Sequence, residues 1–222
     1  MTKTQFTFLA GACALALLAL ATAAPAAAQP VNILIFGDSL SNGYDLPEEQ
    51  GFPAQLRRRL LADGYDVIVS NGSLSGDTAS YGYTRINEEL QNNPDLVLVE
   101  LGANDMVNKT DPRVTYRYLD AIIHICKAHG ARVILAGMLS LPKNGPNYIV
   151  GFNNIYPTLA RANHVPLYPF FLAGVYGVPA LMQSDNEHPN AYGTAKIVAG
   201  VAPLIEANLR KLRPRVAAGE TR

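Results

Sequence analysis

The stretch Val31–Leu40, VNILIFGDSL, decides the fold. Five of its first six residues are apolar and mostly branched; they read as a short strand, and the run stops at Gly37. Asp38, Ser39 and Leu40 then turn the chain toward a helix. Four further runs repeat the pattern: Tyr65–Ser70 (YDVIVS), Asp95–Leu101 (DLVLVEL), Arg132–Ala136 (RVILA) and Val165–Tyr168. Between them, apolar residues recur at helical spacing. Phe52, Leu56 and Leu60 form one stripe; Ala79, Tyr83, Ile86 and Leu90 form the next. Tyr116, Leu119, Ile122, Ile123 and Cys126 form a third, and Tyr148, Phe152, Ile155 and Leu159 a fourth. Val198, Val201, Ile205 and Leu209 mark the last helix. Pro157 predicts a kink or an end in the fourth stripe, and Pro203 a kink or break in the last. Strands that alternate with helices imply a parallel sheet covered on both faces, a three-layer α/β/α sandwich. Periodicity leaves the strand order open.

The 222 residues suffice for one substantial domain. Lys and Arg number 18, as do Asp and Glu, so no bulk charge favours nucleic acid. The N-terminus stands apart: no charged residue falls between Lys3 and Asp38. Lys3, the apolar run Phe6–Ala21 and the small residues Ala26-Ala27-Ala28 have the layout of a secretory signal peptide over residues 1–28. The run is short for a bilayer span, so no transmembrane anchor is expected after cleavage. The expected location is the periplasm or the medium. The mature domain is expected over 29–213, with a flexible tail at 214–222. Cys13 leaves with the leader, and Cys126 alone cannot form an intramolecular disulfide. It reads as a core residue. His124 and His129, five apart, do not share one helix face for a metal. His164 reads as a cap or turn, and Arg57-Arg58-Arg59 as a solvated face. No Gly-rich phosphate loop followed by Lys-Ser/Thr occurs.

In a doubly wound sheet, ligands sit beyond the carboxyl ends of the strands, where the strand order reverses. Gly37-Asp38-Ser39-Leu40 follows the first strand and Asn71–Thr78 the second; Gly102-Ala103-Asn104-Asp105 follows the third. Asp185–Asn190 (DNEHPN) precedes the last helix. These are the parts of acyl transfer. A serine hydroxyl needs an adjacent base, which a histidine supplies when a third group fixes its tautomer. Asp185 lies three residues before His188, a spacing one turn can close. Pro189 restricts His188 to extended backbone. An oxyanion needs preorganised donors: Gly76 offers a backbone N–H and Asn104 a side-chain N–H.

Taken together, these blocks resemble the GDSL, or SGNH, hydrolase superfamily, in particular its bacterial arylesterase and thioesterase I/lysophospholipase L1 type. The resemblance rests on Phe36–Ser41, Asn71–Thr78, Val99–Asp105 and Asp185-x-x-His188-Pro189-Asn190. It runs on through Ile155-Tyr156-Pro157, Val165-Pro166-Leu167 and Pro169-Phe170-Phe171, so it spans nearly all of the chain after the leader. It implies a flavodoxin-like five-stranded sheet of order 2-1-3-4-5 and catalytic Ser39, Asp185 and His188. It implies an oxyanion hole from the Ser39 and Gly76 N–H groups and the Asn104 side chain. It implies no metal or organic cofactor. Two positions depart from the pattern: Ala103 stands where glycine is common, and Asn186-Glu187 set a carboxylate beside the histidine.

The segment Met138–Phe152 follows the fourth strand and is expected to overhang the crevice. Leu139, Leu141, Pro142 and Tyr148 are its candidate acyl-lining residues; as a bland alternative, some of them simply begin the next helix. The expected substrate is a short- to medium-chain acyl or aryl ester, extending to thioesters and lysophospholipids. An O-deacetylase of carbohydrate using the same triad is the first alternative, although the absence of Trp disfavours sugar stacking. A non-catalytic binding module of flavodoxin-like fold is the second. Oligomeric state is not legible.

Overall fold

The computed structural model describes residues 29–212. The leader at 1–28 and the tail at 214–222 lie outside the described residues. Strand β1 (Val31–Gly37) leads into a short helix α1 (Ser39–Asn42) and then α2 (Phe52–Ala62). Strand β2 (Val67–Asn71) is followed by α3 (Ala79–Glu89), and β3 (Leu96–Glu100) by α4 (Ala103–Val107) and α5 (Pro112–Ala128). Strand β4 (Arg132–Ala136) precedes α6 (Pro146–Asn153) and α7 (Ile155–Asn163). Strand β5 (Leu167–Tyr168) and the long helix α8 (Ala191–Leu209) complete the fold. The sheet order is β2-β1-β3-β4-β5, parallel throughout.

The pattern of burial explains the layers. All five residues of β3 are buried, as a central strand covered on both faces requires. Helices α2 and α8 pack together, while α3, α5 and α7 pack in sequence with one another. The α5 stripe Leu119, Ile122, Ile123 and Cys126 is fully buried. The exposed Arg57–Arg59 run lies opposite the buried Leu56 and Leu60. His164 takes a left-handed conformation at the end of α7. Among the described residues no helix is long and apolar enough to cross a membrane.

The two prolines act differently. The fourth stripe is divided at Asn154, between α6 and α7. Pro157 sits in the first turn of α7, where its missing N–H is tolerated and its ring excludes continuation of the preceding helix. Of the kink or break expected at Pro203, the break does not occur: α8 is one helix from Ala191 to Leu209 with Pro203 inside it. Pro203 and Ala199, four residues earlier, are both exposed, so water can reach the carbonyl left without its N–H partner. The second and fifth strands are shorter than their apolar runs.

The order in which strands are added reverses between β1 and β3: β2 lies on one side of β1, and β3, β4 and β5 extend the sheet on the other. The loops leaving β1 and β3, and that leaving β2, converge at this switch point.

Candidate active site

Ser39 is delivered by the end of β1 as the first residue of α1. Asp38 caps this helix, its Oδ1 accepting the Leu40 N–H at 3.0 Å. Gly37 is required by crowding. A Cβ there would lie 2.1 Å from Ser41 Oγ and 2.3 Å from the Glu100 carbonyl oxygen.

His188 arrives from the opposite end of the sequence. A single antiparallel bridge joins Met182 to Pro189, and the Gln183 N–H donates to the His188 carbonyl at 2.8 Å. Asn190 fixes the loop to α8: its Oδ1 accepts the N–H groups of Tyr192 and Gly193, and its Nδ2 donates to the Ala180 and Met182 carbonyls. Within the loop, Asp185 Oδ1 accepts the N–H groups of Glu187 (2.9 Å) and His188 (3.0 Å). Asn186, with φ of 57°, makes the tight turn.

The turn brings Asp185 Oδ2 to 2.7 Å from His188 Nδ1, and His188 Nε2 lies 2.9 Å from Ser39 Oγ. An ionised carboxylate only accepts, so Nδ1 carries the hydrogen. In the neutral ring Nε2 is then the acceptor for the Ser39 hydroxyl. Desolvation opposes ionisation of Asp185. The His188 N–H, the imidazole and the Glu187 N–H outweigh it and hold the carboxyl down at about 2. The Tyr44 ring stacks on the imidazole, with centroids 4.4 Å apart and planes at 30°. Gln183 Nε2 donates to the Tyr44 carbonyl (2.8 Å) and the Pro189 carbonyl (3.0 Å), joining the loops on either side of the histidine.

The two other candidate donors are also tied together. Asn104 Nδ2 donates to the Asp77 carbonyl at 2.9 Å, beside Gly76. An amide nitrogen has two hydrogens, so this bond orients the side chain and leaves the second N–H. Gly76 has φ of 88°, and a Cβ there would meet nothing within 4 Å; its demand for glycine is conformational. Gly102, with φ of 118°, packs so closely that a Cβ would lie 2.2 Å from the Tyr156 hydroxyl. That hydroxyl donates to the Leu101 carbonyl at 2.9 Å. Asp105 is buried and accepts the Ala79 N–H (2.8 Å) and the Thr115 hydroxyl (3.0 Å), coupling α4 to α3 and α5.

The four candidate lining residues occupy different settings. Leu139 is exposed, and Pro142 lies on an exposed turn. Leu141 is half-buried against the core. The Tyr148 hydroxyl donates to the Thr110 carbonyl at 3.0 Å and approaches the Asp105 carbonyl at 3.3 Å. Its ring stacks on Phe152. Sequence reading passed over Tyr44, for which no motif exists, and the structural part of Asn190. The latter had a signal, an asparagine directly before a helical stripe. Among the described residues, no three His, Cys, Asp or Glu side chains are grouped as metal ligands.

A parallel sandwich whose switch point carries a serine, a histidine and a carboxylate in hydrogen-bonded series has the layout of a carboxylic ester hydrolase. Comparison with known proteins gives the family. Residues 35–196 match the GDSL-like lipase/acylhydrolase family, and the chain belongs to it. It is 43% identical to an arylesterase of Vibrio mimicus over 71% of this chain and 80% of that protein. It is 41% identical to thioesterase 1/protease 1/lysophospholipase L1 of Escherichia coli K12, covering 74% of this chain and 78% of the other. The crystal structure of the psychrotrophic esterase EstA from Pseudoalteromonas sp., inhibited by monoethylphosphonate, superposes with a TM-score of 0.77. That match is at 30% identity and covers 81% of this chain and 98% of EstA. The chain is therefore a hydrolase of carboxylic esters, of the arylesterase, thioesterase and lysophospholipase kind.

Proposed function

We propose that the protein is exported and hydrolyses short- to medium-chain acyl and aryl esters, thioesters and lysophospholipids through an acyl-enzyme on Ser39. The observation that carries this reading is the series Ser39 Oγ, His188 Nε2, His188 Nδ1, Asp185 Oδ2, at 2.9 and 2.7 Å. In the first step Ser39 Oγ bonds to the substrate carbonyl carbon while its proton passes to His188 Nε2. Asp185 holds the ring and favours the imidazolium. The Ser39 and Gly76 N–H groups and Asn104 Nδ2 receive the oxyanion. His188 returns the proton to the leaving alcohol or thiol. A water then gives a proton to His188 and attacks the acyl carbon, releasing the acid and restoring Ser39. Leu139 and Pro142, exposed beyond β4, form an apolar rim for the acyl chain, with Leu141 behind them.

The test is a p-nitrophenyl ester series from acetate to palmitate, run with the wild type and Ser39→Ala. Loss of at least about 10³ in kcat for Ser39→Ala is expected. A phosphonate reagent should add one phosphonyl group to Ser39 by mass spectrometry. Full activity in Ser39→Ala would overturn the assignment, and turnover confined to acetate would favour a deacetylase. Export is tested by the N-terminus of the secreted protein, expected at Gln29.

A further inference from the structure

Two carboxyl groups beneath Ser39 have no part in the proposed chemistry. Asp38 directly precedes the nucleophile, Glu100 ends β3, and both are fully buried. Glu100 is the register partner of Gly37. A Cβ on Gly37 would lie 2.7 Å from Glu100 Oε2, so this carboxyl folds over the backbone that carries Asp38 and Ser39. Asp38 Oδ1 caps α1. Asp38 Oδ2 and both Glu100 oxygens are buried without a well-aligned hydrogen bond, although the Ser41 hydroxyl and the Asp38 and Ser41 N–H groups lie near Glu100 and the Ala103 N–H lies near Asp38.

The charges around the pair do not compensate two anions. Asp77, from the loop after β2, and Asp105, on α4, both add negative charge near Asp38. The cation nearby is Arg85 of α3. Its Nε is paired with Asp77, and its Nη1 binds Glu89 (3.1 Å) and the Gly72 carbonyl (2.6 Å). Only Nη2 turns toward the Gly37 carbonyl, at 3.4 Å. The nearby Tyr156 hydroxyl of α7 is bound to the Leu101 carbonyl. Two ionised carboxylates would be desolvated and mutually repelling, so one proton on the pair is the lower-energy state. Burial, together with the charge of Asp38, pushes Glu100 well above the ordinary carboxylate range. Burial raises Asp38 as well.

We propose that Glu100 is a positioning residue: it remains protonated at neutral pH, donates its O–H to Asp38 Oδ2, and thereby fixes the turn that presents Ser39. The shared proton bridges carboxyl oxygens that have no well-aligned donor, while Asp38 Oδ1 continues to cap α1. The positioning role rests on the reading of Ser39 as nucleophile; the proton itself does not. The folded chain retains a proton that the unfolded chain releases above the usual Glu value. Its stabilisation is therefore complete at acid pH and declines as pH rises through the folded value.

The full chain is compared with Glu100→Gln, which keeps a neutral donor at every pH, and with Glu100→Ala. Infrared spectra at pH 7 should show a protonated-carboxyl C=O stretch above the amide band. It should shift in D₂O and vanish in Glu100→Gln. In urea unfolding from pH 5 to 9, Glu100→Gln should gain on the wild type progressively as pH rises. Glu100→Gln should hold kcat within about threefold of wild type, while Glu100→Ala loses about tenfold or more with KM little changed. If Glu100→Ala does not fold, the band and the Glu100→Gln stability profile decide. Absence of the band, its persistence in Glu100→Gln, or a Glu100→Gln stability gain that does not vary with pH would overturn the shared proton. A Glu100→Gln kcat as low as that of Glu100→Ala would overturn the positioning role. Ser39→Ala should keep the band. A Ser39→Ala protein that stayed active would refute the nucleophile while leaving the proton test intact.

Discussion

Asn104 uses one amide hydrogen to hold the Asp77 carbonyl, which ties the side chain to the loop bearing Gly76. Replacing it with alanine removes both the tie and the free N–H. Asn104→Ala is expected to lower kcat on p-nitrophenyl esters by about 10²–10³, with a much smaller change in KM. Asp185 carries a pH signature of its own. Its folded value, about 2, lies below the ordinary 3.8. The stabilisation it contributes is therefore present above pH 4 and lost as pH falls from 4 toward 2. Thermal melts across that window should show a decline that Asp185→Asn reduces. At this scale the sequence was informative where chemistry dictates residue type and spacing, as in Asp185-x-x-His188. It was silent on Tyr44. A stacking partner is chosen by where a loop passes in space, and no local pattern records that.

Among the elements, central strands were the most legible. Leu96–Glu100 is buried on both faces, and continuous apolarity follows from that burial. The edge strand β2 is mostly exposed or half-buried, and β5 pairs over only two residues. Their apolar runs therefore overstate the paired length. The order β2-β1-β3-β4-β5 follows from the family resemblance and not from periodicity, which carries no information on which strands lie side by side. Pro203 marks the limit of local rules: a proline in a long, well-packed helix is tolerated where it and the residue four before it face solvent. The tolerance still has a cost. Pro203→Ala restores an i→i−4 hydrogen bond and should stabilise the protein by roughly 1–3 kcal/mol in urea unfolding. Activity should not change, because the residue lies three helical turns beyond Asn190.

The described residues share one core without covalent reinforcement. Cys126 is fully buried in it, and burial pushes the thiol up to about 12. Stability of the chain lacking residues 1–28 should accordingly be the same with and without reductant, and thiol reagents should label Cys126 only on unfolding.

The bond between Ser39 and His188 spans 149 positions of sequence. The serine is set just after the first strand and the histidine just before the last helix, so no fragment formed early in folding contains both. Closure of so long a separation comes late, because its entropy is recovered only once the intervening sheet exists. Catalytic competence is thus a clock for the final act of folding. After dilution from denaturant, ester turnover should return behind the recovery of helical circular dichroism, and their coincidence would show that the two chain ends meet at the outset.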